Sequence, residues 1–253
     1  MTTPSGTTTN IGHLNLAGGV ATVTQEVNGA NTPFVGAQFS EFGAIYTISF
    51  TPENCAGLCD SGSPALFTPA GYEFQIAFNN LSGEVTAFDG TTGELNYIFY
   101  GGTGDITILG RPVAGVGAFT TLAELTPQDP SGGDLASFFG IGDQSQGQST
   151  IVAQFDQFLN GFLLDLFGPG LGYTSVSDLF MQFVTTNKIS QGPVPVGACS
   201  FDATAQCVEL QVTSDGSADL FVRTVPEPTS LALLGLGLAG LGAMRRKAAK
   251  AVV

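Results

Sequence analysis

Four cysteines stand in two close pairs, Cys55 with Cys59 and Cys199 with Cys207. This spacing fits two local disulfides, each adding about 2–3 kcal/mol by restricting the unfolded chain. A four-thiolate zinc site is the rival, although neither pair has the CxxC spacing usual for such sites. Disulfides imply an oxidising compartment. Two acidic loops offer hard oxygen ligands of the kind Ca²⁺ takes, one holding Asp89 and Glu94, the other Asp129 and Asp134. Neither has EF-hand spacing, and Asp-Gly is ordinary turn chemistry, so Ca²⁺ is the weaker reading and no cofactor is expected. The single histidine, His13, excludes schemes that need two imidazoles, HExxH among them. No GxSxG elbow, P-loop or SxxK occurs, and no carboxylate pair stands out for glycoside hydrolysis. The residues therefore point away from an enzyme.

Composition narrows the class further. The 253 residues include 35 Gly and 13 Pro, with 43% hydrophobic and 11% charged residues, which suits many short strands better than long helices. Residues 1–224 hold 20 carboxylates against Arg111, Lys188 and Arg223, a net charge of −17. Binding to a phosphate backbone needs clustered cations, so nucleic acid is excluded as a partner. The Thr-rich residues 1–10 are expected to be disordered. No basic region followed by an apolar run opens the sequence, and residues 11–21 are too interrupted by Gly, His and Asn to serve as a signal peptide. A leader is expected upstream of Met1.

Residues 11–224 read as one acidic, mainly β domain, an antiparallel sandwich or barrel. Tyr72, Phe74, Ile76 and Phe78 share one face of a strand, and further strands are expected at 20–27, 45–50, 95–100 and 105–109. Turns are expected at 80–83 and 100–104. A final hairpin would pair residues 207–213 with 219–225 across Ser214, Asp215 and Gly216. Between about 150 and 185, Ile151, Val152, Phe155, Phe158 and Leu159 recur at helical spacing after Ser149 and Thr150, which predicts a short helical insertion. The competing reading makes 150–157 a strand.

The most specific pattern is the end of the chain. Pro226, Glu227 and Pro228 form an element whose prolines fix two φ angles and remove two amide donors, keeping it extended. The uncharged residues 229–244 would make about 24 Å of helix, slightly short of a bilayer core but workable with thinning or snorkelling. Arg245, Arg246 and Lys247 open a basic tail, 245–253, that should stay cytoplasmic and so place the body across the membrane. Within the apolar run, Gly235, Gly237 and Gly240 spell GxGxxG, but no strand precedes them and dinucleotide binding is rejected.

This three-part end, 225–253, resembles the PEP-CTERM protein-sorting signal of exported proteins of Gram-negative bacteria. The resemblance implies an exosortase-type membrane enzyme as partner, recognising Pro226, Glu227 and Pro228. It also implies a passing stay in the inner membrane through the C-terminal transmembrane helix, with Arg245, Arg246 and Lys247 as stop-transfer residues, followed by release to the cell surface or exopolysaccharide matrix. A structural role in biofilm or floc formation follows as an expectation. The body also resembles flocculation-associated members, through residues 95–100 and 161–165. The alternative is a secreted carbohydrate-binding module or glycan-active hydrolase delivered by the same tail.

Overall fold

Period-two alternation governs the chain, and its strands are longer than the sequence pattern indicates. A computed structural model describes residues 2–3, 6–7, 11–52, 72–112, 118–159 and 179–222. In the Thr-rich start, β1 (Thr2–Thr3) pairs antiparallel with β2 (Gly6–Thr7). The body then runs through β3 (Ile11–Val27), β4 (Gln38–Pro52), β5 (Tyr72–Phe88), β6 (Leu95–Phe99), β7 (Asp105–Pro112), β8 (Thr120–Leu135), β9 (Gly147–Phe158), β10 (Leu179–Ala198) and β11 (Gln206–Val222). Each strand pairs antiparallel with its successor around the sheet. Strands β6 and β7 lie end to end in one position between β5 and β8. Strand β11 returns to β3, with Gln206 opposite Val27 and Asp219 opposite His13. The sheet thus closes on itself as an up-and-down barrel, so of the sandwich and barrel alternatives the barrel is the one formed. Eight strand positions give an interior about wide enough for side chains to fill.

The inward face is apolar. Ala21, Val27, Val85, Leu95, Leu135, Val208, Leu210 and Val212 form its core with Phe138 and Ile189. Many outward positions, such as Thr24, Ser40, Glu84, Gln154, Lys188 and Glu209, are polar, as expected where one face meets water, but Val20, Phe42, Tyr46, Ile98 and Val184 are exposed as well. Two long strands change which residues point inward. In β3, Leu14 and Leu16 are buried, then a register shift between Ala17 and Val20 brings Ala21 and Gln25 inward, with Gly18 at φ 66°. In β5, Phe74 and Ile76 give way to Leu81 and Val85 across Asn80, at φ 52°. An extra residue in one strand re-aims every side chain beyond it.

Three expectations are corrected. The turn at 80–83 is a bend within the continuous strand β5. The turn at 100–104 does form, between β6 and β7. The hairpin across Ser214, Asp215 and Gly216 is instead a bulge in β11, which runs on along β3. There the Asp215 carboxylate accepts a hydrogen bond from the Gly18 amide at 2.9 Å, so turn-forming residues tie one bulge to another. The helical insertion is also absent from its described part, where β9 and β10 are strands. Ser149, Ala153 and Phe155 face inward, a bulge at Asp156 brings Phe158 back beside Phe155 with ring centroids 4.9 Å apart, and with half-buried Val152 on the outer face this creates the helix-like spacing. With β8 on one side and β10 on the other, the backbone groups of β9 find partners across the sheet. Residues 160–178 lie outside the described residues.

Cys199 and Cys207 are disulfide-bonded with a Cα–Cα distance of 5.0 Å, tying the turn between β10 and β11. Asp202 braces the same turn by accepting from the Thr204 amide and hydroxyl at 2.8 and 2.7 Å. Cys55 and Cys59 lie outside the described residues. Replacing both Cys199 and Cys207 with Ser should lower stability by about 2–3 kcal/mol, which a thermal melt of the full-length chain in detergent would register.

Close approach of strands is the second constraint on this barrel. A methyl group on Gly83 would strike the Ile98 carbonyl oxygen and the Phe39 ring. Gly83→Val should therefore cost about 1–3 kcal/mol, read in the same melt as a loss of several degrees.

Candidate functional site

The barrel interior holds polar groups that a simple apolar core would not need. Strand β4 contributes Phe39 and Glu41, β6 contributes Tyr97 and Phe99, β9 Ser149, β10 Thr185 and Asn187, and β11 Ser214. Two adjoining cavities run between them, with about 480 and about 520 Å³ of atom-free space, open mouths included. Glu41 and Asn187 line both and so stand at the divide.

Asn187 is the hub. Its Oδ1 accepts from the Thr185 hydroxyl at 3.0 Å and the Ser214 hydroxyl at 2.8 Å. Its Nδ2 donates to Ser149 Oγ at 2.8 Å and reaches the Tyr97 hydroxyl at 3.5 Å. Ser149 and Thr185 share a further bond of 2.7 Å. Gln25, also turned inward, donates to the Gln38 and Glu26 carbonyls. Above this network Phe39, Tyr97 and Phe99 meet edge to face, with centroids 5.4–5.6 Å apart in all three pairings. Such contacts add to the burial energy of the rings and fix their orientation.

Glu41 differs from its neighbours because it receives no hydrogen bond or ion pair among the described residues. Burial without a counter-charge pushes its carboxyl up to about 7, from an ordinary 4.5. The facing titratable group is Tyr97, itself raised first by burial and then by the Glu41 charge. Two cations have described side chains, and both are engaged elsewhere. Arg111 lies over the Phe119 ring and Lys188 pairs with Asp143.

The residues singled out in the sequence fall elsewhere. Asp89 accepts from the Thr91 and Thr92 amides at 2.8 and 3.4 Å, shaping the β5–β6 turn, and these bonds hold its carboxyl below the usual range. Glu94 follows in that turn, its amide donating to Thr92 Oγ1 at 3.2 Å. Asp129 accepts from the Gly101 amide at 3.0 Å, and Asp134 is exposed on β8 opposite Asn96. Among the described residues, no three His, Cys, Asp or Glu side chains are gathered as a metal ion would need. No helix among them is long and apolar enough to cross a membrane. Pro226, Glu227, Pro228, the apolar run 229–244 and Arg245, Arg246 and Lys247 lie outside the described residues.

Glu41 went unnoticed in the sequence, although alternation carried a signal. It shares parity with Phe39 and Ile45, both buried, while the apolar Phe42 points outward. The exposed Phe42 obscures the pattern.

Comparison with known families places residues 224–247 in the PEP-CTERM protein-sorting motif. The match takes in Pro226, Glu227 and Pro228, the apolar run and Arg245, Arg246 and Lys247. Searches of curated proteins and of solved structures found no match.

The Glu41 environment sets a pH dependence. Between about pH 4.5 and 7 the folded chain keeps a proton that the unfolded chain has released, so stability from neutral Glu41 is complete below the unfolded value and lost as pH rises through about 7. Glu41→Gln should remove this loss. Relative to that variant, the unsubstituted chain should become less stable by at most about 3 kcal/mol between about pH 4.5 and 8, measured by denaturant titration. A constant difference between the two proteins across that range would refute it.

Proposed function

We propose that this is an exported protein, carried to the cell surface or exopolysaccharide matrix by its carboxy-terminal sorting signal, with the acidic barrel as the delivered body. The observation that carries this reading is the match of residues 224–247 to the PEP-CTERM sorting motif. Such a motif implies processing by an exosortase-type membrane enzyme. The basic cluster at Arg245, Arg246 and Lys247 would keep the carboxy terminus cytoplasmic until processing.

The role proposed for the body is structural, within a biofilm or floc matrix, and not catalytic. A closed sheet offers no long strand edge for self-assembly, which favours an individually dispersed component. At a net charge of −17 over residues 1–224, released bodies repel one another and anionic polysaccharide, so attachment would rely on divalent cations or on polar contacts to sugar. Among the described residues the lumen presents one carboxylate, Glu41, where glycoside hydrolysis generally uses two. The second reading, a binding module delivered by the same tail, is favoured by one observation, the polar-lined lumen itself.

Tags placed in the Thr-rich start and after Val253 test the first reading in a Gram-negative host with an exosortase-type enzyme. The body tag should appear outside the cell while the tail tag stays in the membrane fraction. Replacing Pro226, Glu227 and Pro228 with Ala should keep both tags together in the membrane. If the unsubstituted chain also retains both, processing fails as an explanation and the tail is an anchor.

A further inference from the structure

Among the described residues, every lumen polar group but one is supplied with a partner by the protein. Asn187, Ser149, Thr185, Ser214 and Tyr97 satisfy one another, and Gln25 is bound to backbone carbonyls. Glu41, at the boundary of both cavities, accepts from none of them. It can only be an acceptor once ionised, so what completes the site must bring a donor. Its surroundings define that donor further. The first cavity is walled by Phe39, Tyr97, Phe138, Leu95 and Leu210, apolar surface that suits a hydrocarbon body. Aromatic rings beside a carboxylate favour a positive head group twice, through direct charge attraction in a desolvated space and through the ring faces. The anionic body also raises the local concentration of cations around it.

We propose that the barrel lumen is a binding site for a small organic ammonium ion, its charged head on Glu41 and its apolar body against Phe39, Tyr97 and Phe138. Each cavity offers about 40 Å³ of closed space, so the adjoining pair admits a ligand of about two to four non-hydrogen atoms, short of the roughly 150 Å³ that takes a benzene ring. The inference deepens the binding-module reading and rests on the barrel alone. Its failure would leave the sorting signal untouched, and a failed tag experiment would leave the lumen site untouched.

Thermal melting of the full-length chain in detergent at about pH 8, where Glu41 is ionised, provides the test. Ethylamine and propylamine are the probes, and 1-propanol is the neutral counterpart. A saturable rise of about 2–4 °C is expected at about ten times the dissociation constant of either amine. 1-Propanol should give less than half of that rise. Glu41→Gln should abolish the amine effect while still melting cooperatively, and the exposed substitution Glu209→Gln should leave it intact. An equal rise with 1-propanol would overturn the proposal in favour of simple apolar filling. An unchanged amine effect in Glu41→Gln would overturn it in favour of surface charge pairing. No rise with either amine would mean that the lumen holds water only.

Discussion

The pairing of the last strand with the first is the interaction on which the rest depends. While β11 lies along β3, from Gln206 opposite Val27 to Asp219 opposite His13, every strand position has a neighbour on both sides. Without it the same strands would form an open twisted sheet with two exposed edges, and the inward residues would face water. The seam is also irregular. Bulges at Gly18 and Gly216 meet across it, and the Asp215 carboxylate holds the Gly18 amide. Irregularity at a barrel seam is functional geometry, because closure demands bends that a regular ladder cannot make.

Closure creates the problem that the interior must solve. Inward side chains must fill a space whose walls are fixed by hydrogen bonds, and the barrel does so unevenly. Aromatic rings pack edge to face near Phe39, and Gly83 and Gly216 let strands approach where a side chain would collide. Towards β9 and β10 the filling turns polar, centred on Asn187. Buried polar groups are costly unless paired, and here the pairing is complete around the amide, while half-buried Glu41 has no hydrogen-bond partner among the described residues and opens on the cavities. One uncompensated acid in an otherwise satisfied interior marks a place where stability has yielded to something else.

The sequence made the fold class legible, because alternation at Phe74 and Ile76 is a local property that survives in the barrel. What it concealed was continuity. Asn80 and the Ser214, Asp215 and Gly216 run have turn chemistry, and only the partner strands reveal that the chain bends there and continues. The helical misreading of Ile151, Val152, Phe155 and Phe158 has a related cause, since an outward Val152 and a bulge that sets Phe158 beside Phe155 together imitate a helical stripe. The sorting signal was fully legible, as Pro226, Glu227 and Pro228 with their apolar and basic followers act as linear sequence. Glu41 was hidden because its meaning depends on a lumen formed by residues more than a hundred positions away, Asn187 among them.

A ring joined end to end also has a schedule. Strand β3 is made first and β11 last, so one side of β3 waits through nearly two hundred residues before its partner exists. Bringing such distant segments together costs on the order of 5 kcal/mol in chain entropy, recovered only once the seam zips. Partial chains therefore hold their strands in an unclosed, readily unwound state, and cooperative locking comes at the final strand. The topology itself acts as a timer, setting rigidity only when the last strand arrives.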